Sequence, residues 1–225
     1  MIRSLALAWL SMVLIACSGT HVREEVRKSV PASAAPSIRI DNAVGEIRIT
    51  GSQSHSVDID AVKSGGSLDD VRNIDVDVES RGNTITLATK YHGFARGGVS
   101  YTISVPAGAS LDITNSTGAV RIEGIDGDVT AATQTGEVVA SLGRVTARRS
   151  IDLTATTGSL KLTIDQNSDA RVEARTTVGD VRSDFPSLES VRQNVVGARA
   201  AGTIGSGTAT IRLTATTGAI ALRKS

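Results

Sequence analysis

Six glycines in this chain share one frame: Gly45, Gly118, Gly136, Gly158, Gly179 and Gly218. Seven residues before them stand Ile38, Leu111, Val129, Ile151, Val172 and Ile211. Five before stand Ile40, Ile113, Ala131, Leu153, Ala174 and Leu213. Two after stand Ile47, Val120, Val138, Leu160, Val181 and Ile220, and four after stand Ile49, Ile122, Ala140, Leu162, Ser183 and Leu222. All four columns are apolar except at Ser183, and the positions between them are mostly polar. Alternation of period two on both sides of a glycine reads as strand, tight turn, strand. The glycine supplies a turn conformation that a Cβ would strain.

The spacing between frames narrows the fold class further. From Gly118 the intervals are 18, 22, 21 and 39 residues, the last about twice the others. A period near twenty residues with two short strands per unit is the signature of a repeat architecture, in which one unit cannot bury its apolar face alone. The expectation is an all-β chain folded as a single-stranded parallel β-solenoid, or β-helix, of about twenty-residue coils. A β-sandwich of hairpins would also alternate. The doubled interval predicts an irregular coil over 185–207. The six residues LTATTG, at 153–158 and again at 213–218, mark two coils with the same local packing problem.

The N-terminus carries an address. Arg3 is followed by an apolar run from Leu5 to Ile15, too short to span a bilayer but matching a signal-peptide core. The run ends in Leu14-Ile15-Ala16-Cys17, which resembles the lipobox of bacterial lipoproteins. That resemblance implies removal of residues 1–16 and lipid modification of Cys17. An ordinary secretory signal with an incidental cysteine is the alternative. Each buried lipid methylene contributes about 0.8 kcal/mol, and stable anchoring takes more than one acyl chain. Ser18 after the cysteine, by the same resemblance, implies the outer membrane of a Gram-negative bacterium, with the periplasmic or surface face left open. Residues 17–36 read as a tether followed by a possible cap strand, and 37–225 as the body. Cys17 is the only cysteine, so an intramolecular disulfide is excluded.

Charge and aromatic content exclude other classes. Residues 1–16 contain one basic residue and no acidic one, so removing them leaves 23 Lys and Arg against 23 Asp and Glu. No net field gathers nucleic acid. Aromatic residues make up 2% of the chain, so stacking platforms for bases are scarce.

One stretch resembles a known family. VSYTISVPAGASLDITNSTGAVRIEG (99–124), an alternating strand, a Val-Pro break and a glycine-centred unit, is similar to a bacterial candidate-adhesin family of β-strand-repeat envelope proteins, described as a domain of unknown function and related to auto-transporter adhesin heads. GSGTATIRLTATTGAIAL (205–222) resembles the closing coil of the same family. The resemblance spans about residues 37–225. It implies a β-solenoid of the cell envelope, adhesin-like, and brings no catalytic or binding residues with it.

Candidate chemistry is sparse. The three histidines, His21, His55 and His92, stand in distant segments without partners at catalytic or ligand spacing, so no catalytic residue, metal ligand or cofactor is expected. Asp58 with Asp60, and Asp75 with Asp77 and Glu79, share strand faces but lack the wrapping loop a calcium site needs. Arg48, Arg121, Lys161 and Arg182 occupy one column and form a candidate basic ladder for an anionic lipid or glycan, with Glu46, Glu137 and Asp180 placed to neutralise it. Thr154-x-Thr156 and Thr214-x-Thr216 suggest an ice-binding row, which Ala132 and Arg175 break. Tyr91, His92, Phe94, Arg96 and Tyr101 cluster in a chain nearly devoid of aromatics and form a candidate partner contact. The function these readings support is a non-enzymatic, lipid-anchored binding or scaffolding module, held to the membrane by its lipid, with an unidentified protein or glycan partner. The alternatives are a periplasmic structural or envelope-stress-linked module, and a glycan-processing β-helix enzyme.

Overall fold

The computed structural model describes residues 21–146, 148–193 and 197–225. The apolar run expected to be a signal peptide and Cys17 lie outside the described residues. The chain opens with β1 (Val22–Pro31), β2 (Ser37–Val44), β3 (Ile47–Ser52) and β4 (Ser56–Gly65). A short helix, α1 (Leu68–Arg72), leads to β5 (Ile74–Arg81), β6 (Thr84–Tyr91) and β7 (Gly97–Pro106). Then β8 (Ser110–Thr117) and β9 (Val120–Glu123) flank Gly118, and β10 (Val129–Thr135) and β11 (Val138–Ser141) flank Gly136. Gly158 lies between β12 (Ser150–Thr157) and β13 (Leu160–Ile164), and Gly179 between β14 (Ala170–Val178) and β15 (Val181–Ser183). After β16 (Leu188–Gln193) and β17 (Gly197–Ile204), the chain closes with β18 (Ala209–Thr217), Gly218 and β19 (Ile220–Lys224).

These strands form two sheets that face each other across one core. The first holds nine strands in the order β1-β4-β7-β3-β9-β11-β13-β19-β15. The second holds ten, in the order β16-β17-β14-β18-β12-β10-β8-β2-β6-β5. The four apolar columns of the sequence become four rows of the core. Ile38, Leu111, Val129, Ile151, Ile211 and Val172 are register partners strand by strand, and all are buried. Ile47, Val120, Val138, Leu160, Ile220 and Val181 do the same on the facing sheet. Like side chains therefore stack on like across neighbouring strands, where cross-strand contact stabilises a sheet.

The expectation of a single-stranded parallel β-solenoid is overturned. Both sheets are mixed. β4 pairs antiparallel with β1 and with β7, and β5 pairs antiparallel with β6. At the other end β17 pairs antiparallel with both β14 and β16. The glycine frame reports pairing between repeated units, and each antiparallel pair has at least one strand outside that frame. The 185–207 stretch is likewise not an irregular coil: it contributes β16 and β17 to the second sheet.

The last unit does not sit at an end. β18 lies between β12 and β14, and β19 between β13 and β15. The two LTATTG copies are consequently direct neighbours. Leu153 pairs with Leu213, Thr154 with Thr214, Ala155 with Ala215 and Thr157 with Thr217. Sixty residues of sequence separate two strands that touch along their length.

The six framing glycines stack into a spine. Their φ angles lie between +132° and +150°, where a side chain is strained. A Cβ on Gly118 would overlap the carbonyl of Gly45, one on Gly136 that of Gly118, one on Gly158 that of Gly136, one on Gly218 that of Gly158, and one on Gly179 that of Gly218. Backbone bonds run alongside: the amide of Gly136 donates to Thr157 (3.0 Å) and that of Gly158 to Thr217 (2.9 Å).

Inside the spine runs a buried polar row. Asn42 donates through Nδ2 to the Val99 carbonyl (3.1 Å) and to Asn115 Oδ1 (3.2 Å), and Asn115 donates to the Gly45 carbonyl (3.0 Å). Thr176 donates to the Gly218 carbonyl at 3.0 Å. Buried polar atoms persist where they are paired, and these side chains bond the carbonyls that the turns turn inward.

Three substitutions test this framework. Gly158→Ala adds both a strained φ and a clash with the Gly136 backbone, so it costs more than about 3 kcal/mol in urea denaturation. Gly143→Ala, where the added Cβ meets nothing within 4 Å, shifts stability by less than about 0.5 kcal/mol. Equal effects would remove the spine from the account. Asn115→Leu orphans buried donors and acceptors and lowers stability by about 2–3 kcal/mol in the same assay.

Candidate functional site

The first candidate grows out of the one place where the repeated turn is expanded. β6 and β7 continue the core rows of β2 and β3: Ile85 pairs with Ile38, and Tyr101 with Ile47. By that register Val99 occupies the place of a spine glycine, and a Cβ on Gly45 would indeed overlap the Val99 carbonyl. Elsewhere in the frame the turn is tight. Here residues 92–96 stand between the strands as a loop, with Gly93 at φ +62°.

The loop is braced from below. The His92 amide donates to the Asn73 carbonyl (2.8 Å), and His92 Nε2 lies 2.8 Å from Asp75 Oδ2. The Arg96 amide donates to Asp70 Oδ1 (2.8 Å). Asp70 belongs to α1, which Ser67 caps by accepting from the Asp70 amide (3.1 Å). The Arg96 amide, with the Ser67 hydroxyl, holds the Asp70 carboxyl below the usual carboxylate range.

The five residues of the candidate contact separate by depth. Phe94 is fully exposed, at 101%. His92 and Arg96 are exposed as well. Tyr91 is half-buried and packs against the core. Tyr101 is a core residue, 1% exposed. Its hydroxyl lies 2.7 Å from Thr89 Oγ1, and Thr89 donates to Asn42 Oδ1 (2.8 Å), which links the tyrosine to the polar row of the spine. Tyr101 thus holds the end of the spine and does not face solvent.

Sequence reasoning missed two members of this corner. Val44 is 43% exposed and sits against Gly98; Leu68 on α1 is 39% exposed. Val44 had a signal: its row continues through Thr117, Thr135, Thr157 and Thr217, all exposed polar positions. Leu68 had one too, as an apolar residue directly after a helix cap.

The basic column is one row across the first sheet, in the order Arg48, Arg121, Val139, Lys161, Ala221, Arg182. Arg48 and Arg121 come together and share Glu46. Desolvation pushes the Glu46 carboxyl up, but the two guanidiniums outweigh it and hold it low. Val139 and Ala221 separate Lys161 and Arg182 from the rest.

The acidic faces meet neighbouring bases, and Asp60 shares Arg27 with Glu25. Asp77 pairs with Lys90 (2.7 Å), Asp75 with His92, Glu79 with Arg81 (2.9 Å) and Asp60 with Arg27 (3.4 Å). Among the described residues no three His, Cys, Asp or Glu side chains gather as a metal site. No helix among them is long and apolar enough to cross a membrane.

Tyr101 gives a pH signature. Burial raises its phenol to about 12, against an ordinary value of 10. The folded state therefore keeps a proton that the unfolded chain releases, and stability falls as pH rises from about 10 to 12. The loss contributed by this group is about 2–3 kcal/mol at the upper limit. Tyr101→Phe flattens that part of the profile in denaturation series at pH 9–12, at a constant cost of about 1 kcal/mol for the lost hydrogen bond. An unchanged slope in the variant would exclude Tyr101 as its source.

Comparison with known proteins places this geometry. The family model described as Toastrack DUF4097 matches residues 18–223. Among solved structures, a candidate cell adhesion protein from Clostridium sporogenes aligns with 90% of this chain and 100% of its own, at 12% identity and a TM-score of 0.67. A candidate adhesin from Bacteroides fragilis aligns over 88% of this chain and 96% of its own, at 16% identity and a TM-score of 0.34. No curated protein matches the sequence.

Proposed function

Because the chain belongs to the Toastrack DUF4097 family, we propose that it works as a non-enzymatic, adhesin-like module of the bacterial envelope, anchored by lipid at Cys17. The observation that carries the reading is the structural likeness to the Clostridium sporogenes protein over the length of both chains. That likeness concerns the fold, and the adhesion role is extended to this chain as part of the proposal. The distribution of polar groups supports it: Asp77 and Glu79 are each held by a neighbouring base, and Asp60 and Glu25 share Arg27, all on strand faces. A flat body built from stacked strands offers faces and corners to a partner, and its loops are positioned by a rigid frame. Binding or scaffolding at the envelope fits such a body better than turnover of a substrate.

The lipid anchor rests on Leu14-Ile15-Ala16-Cys17. Fractionation of cells expressing the full chain tests it. The wild-type protein sediments with membranes and gains the mass of a lipidated N-terminal cysteine. Cys17→Ala moves it to the soluble fraction and abolishes that mass. A Cys17→Ala protein that stays wholly with membranes would sink the anchor. Protease treatment of intact and opened cells then separates an outward-facing adhesin from a module turned toward the periplasm.

A further inference from the structure

Among the described residues, four large apolar side chains are exposed: Val44, Leu68, Phe94 and Val178. Single exposed apolar residues need no explanation, whereas a cluster of them does. Three of these four stand at one corner. Val44 lies against Gly98, at the start of β7. α1, which carries Leu68, packs its Asp70 and Val71 against Gly65, and the Arg96 carbonyl lies against the same glycine. Phe94 projects from the loop that Arg96 closes.

The start of the described chain is at the same corner. Val22, in β1, is the register partner of Gly65 in β4, and Gly65 is the partner of Gly97 in β7. Two strand spacings, about 10 Å, therefore separate Val22 from the base of the Phe94 loop. Cys17 precedes Val22 by five residues, a reach of at most about 18 Å. The opposite end of the first sheet is eight strand spacings from β1, about 38 Å away. If lipid is attached at Cys17, the acyl chains enter the membrane within reach of this corner and beyond reach of β15.

We infer that the corner formed by Val44, Leu68 and Phe94 is a membrane-docking surface: the body rests on the lipid bilayer with Phe94 inserted at the interface. This inference rests on the lipid anchor proposed above. Phenylalanine and leucine are suited to the boundary between headgroups and acyl chains. The surrounding charge suits an interfacial position rather than deep burial. Arg72 and Arg96 are exposed on the segments that carry Leu68 and Phe94, Asp69 is exposed on α1, and Asp70 is occupied by Ser67 and the Arg96 amide. The anchor alone leaves the body free to rotate. The apolar corner adds a second contact that fixes which end faces the bilayer and holds the far end, with β15 and β16, away from it.

The test uses the full chain, purified in lipidated form and reconstituted into phosphatidylcholine vesicles with brominated acyl chains. Trp9, the single tryptophan, is removed with residues 1–16 on processing, which mass spectrometry verifies. Two variants then report position: Phe94→Trp at the corner and Thr203→Trp on β17 at the far end. The expected result is blue-shifted, bromine-quenched emission from Phe94→Trp and unquenched emission from Thr203→Trp. If both variants float with vesicles and neither is quenched, docking is overturned while the anchor stands, and the corner becomes a contact for a protein partner. Quenching at both positions overturns the proposed orientation. A processed protein that does not float removes the anchor and the docking together. Phe94→Ser with Leu68→Ser, added to a chain that floats, leaves flotation intact but restores protease cleavage within residues 91–97 on vesicles.

Discussion

Close approach of backbone to backbone along the glycine spine is the constraint on which the remaining structure depends. At each of the six turns the neighbouring carbonyl occupies the space where a Cβ would sit. This does two things at once. It lets the strands on either side of the turn keep the spacing of a hydrogen-bonded sheet, and it sets the same register in both sheets. The apolar rows follow from that register, because a one-residue slip would turn every inward side chain to solvent. The buried Asn and Thr row completes the arrangement by bonding the inward-facing carbonyls. Where LTATTG occurs, alanine fills the corresponding places at Ala155 and Ala215, so the ladder is polar at both ends and apolar in the middle.

Much of this was legible, and its limits are physical. A repeated local problem leaves a repeated local pattern, which is why the columns around Gly45 to Gly218 correspond to the rows of the core. The antiparallel strands left no such pattern. β4 and β5 alternate like any half-buried strand, and alternation alone does not state the direction of a neighbour. The placement of β18 and β19 was hidden for a further reason. Pairing between β12 and β18 joins residues sixty positions apart, and a frame counted along the chain assumes that consecutive units are adjacent. The identity of the two LTATTG copies was the one hint that they touch.

The corner shows the same division. That an aromatic cluster near residue 91 is unusual could be read from composition. Alternation put Tyr101 on the face of Val99 and Ile103, whereas the outward turn of Phe94 was not legible, because it lies in the expanded turn beyond the row in which Tyr101 pairs with Ile47. Val139 and Ala221 divide the basic column, and Glu46 draws Arg48 and Arg121 into a local cluster.

The insertion of β18 and β19 into the interior of both sheets has a kinetic meaning. A chain that leaves the ribosome N-terminus first has made β12, β13, β14 and β15 before the strands that lie between them exist. Until residues 209–224 arrive, each sheet holds an unfilled slot with two bare strand edges. β18 and β19 then act as a closing wedge, and cooperative stability waits on residues 209–224. Loss of Ile220–Lys224 would therefore strike the middle of the first sheet rather than its edge.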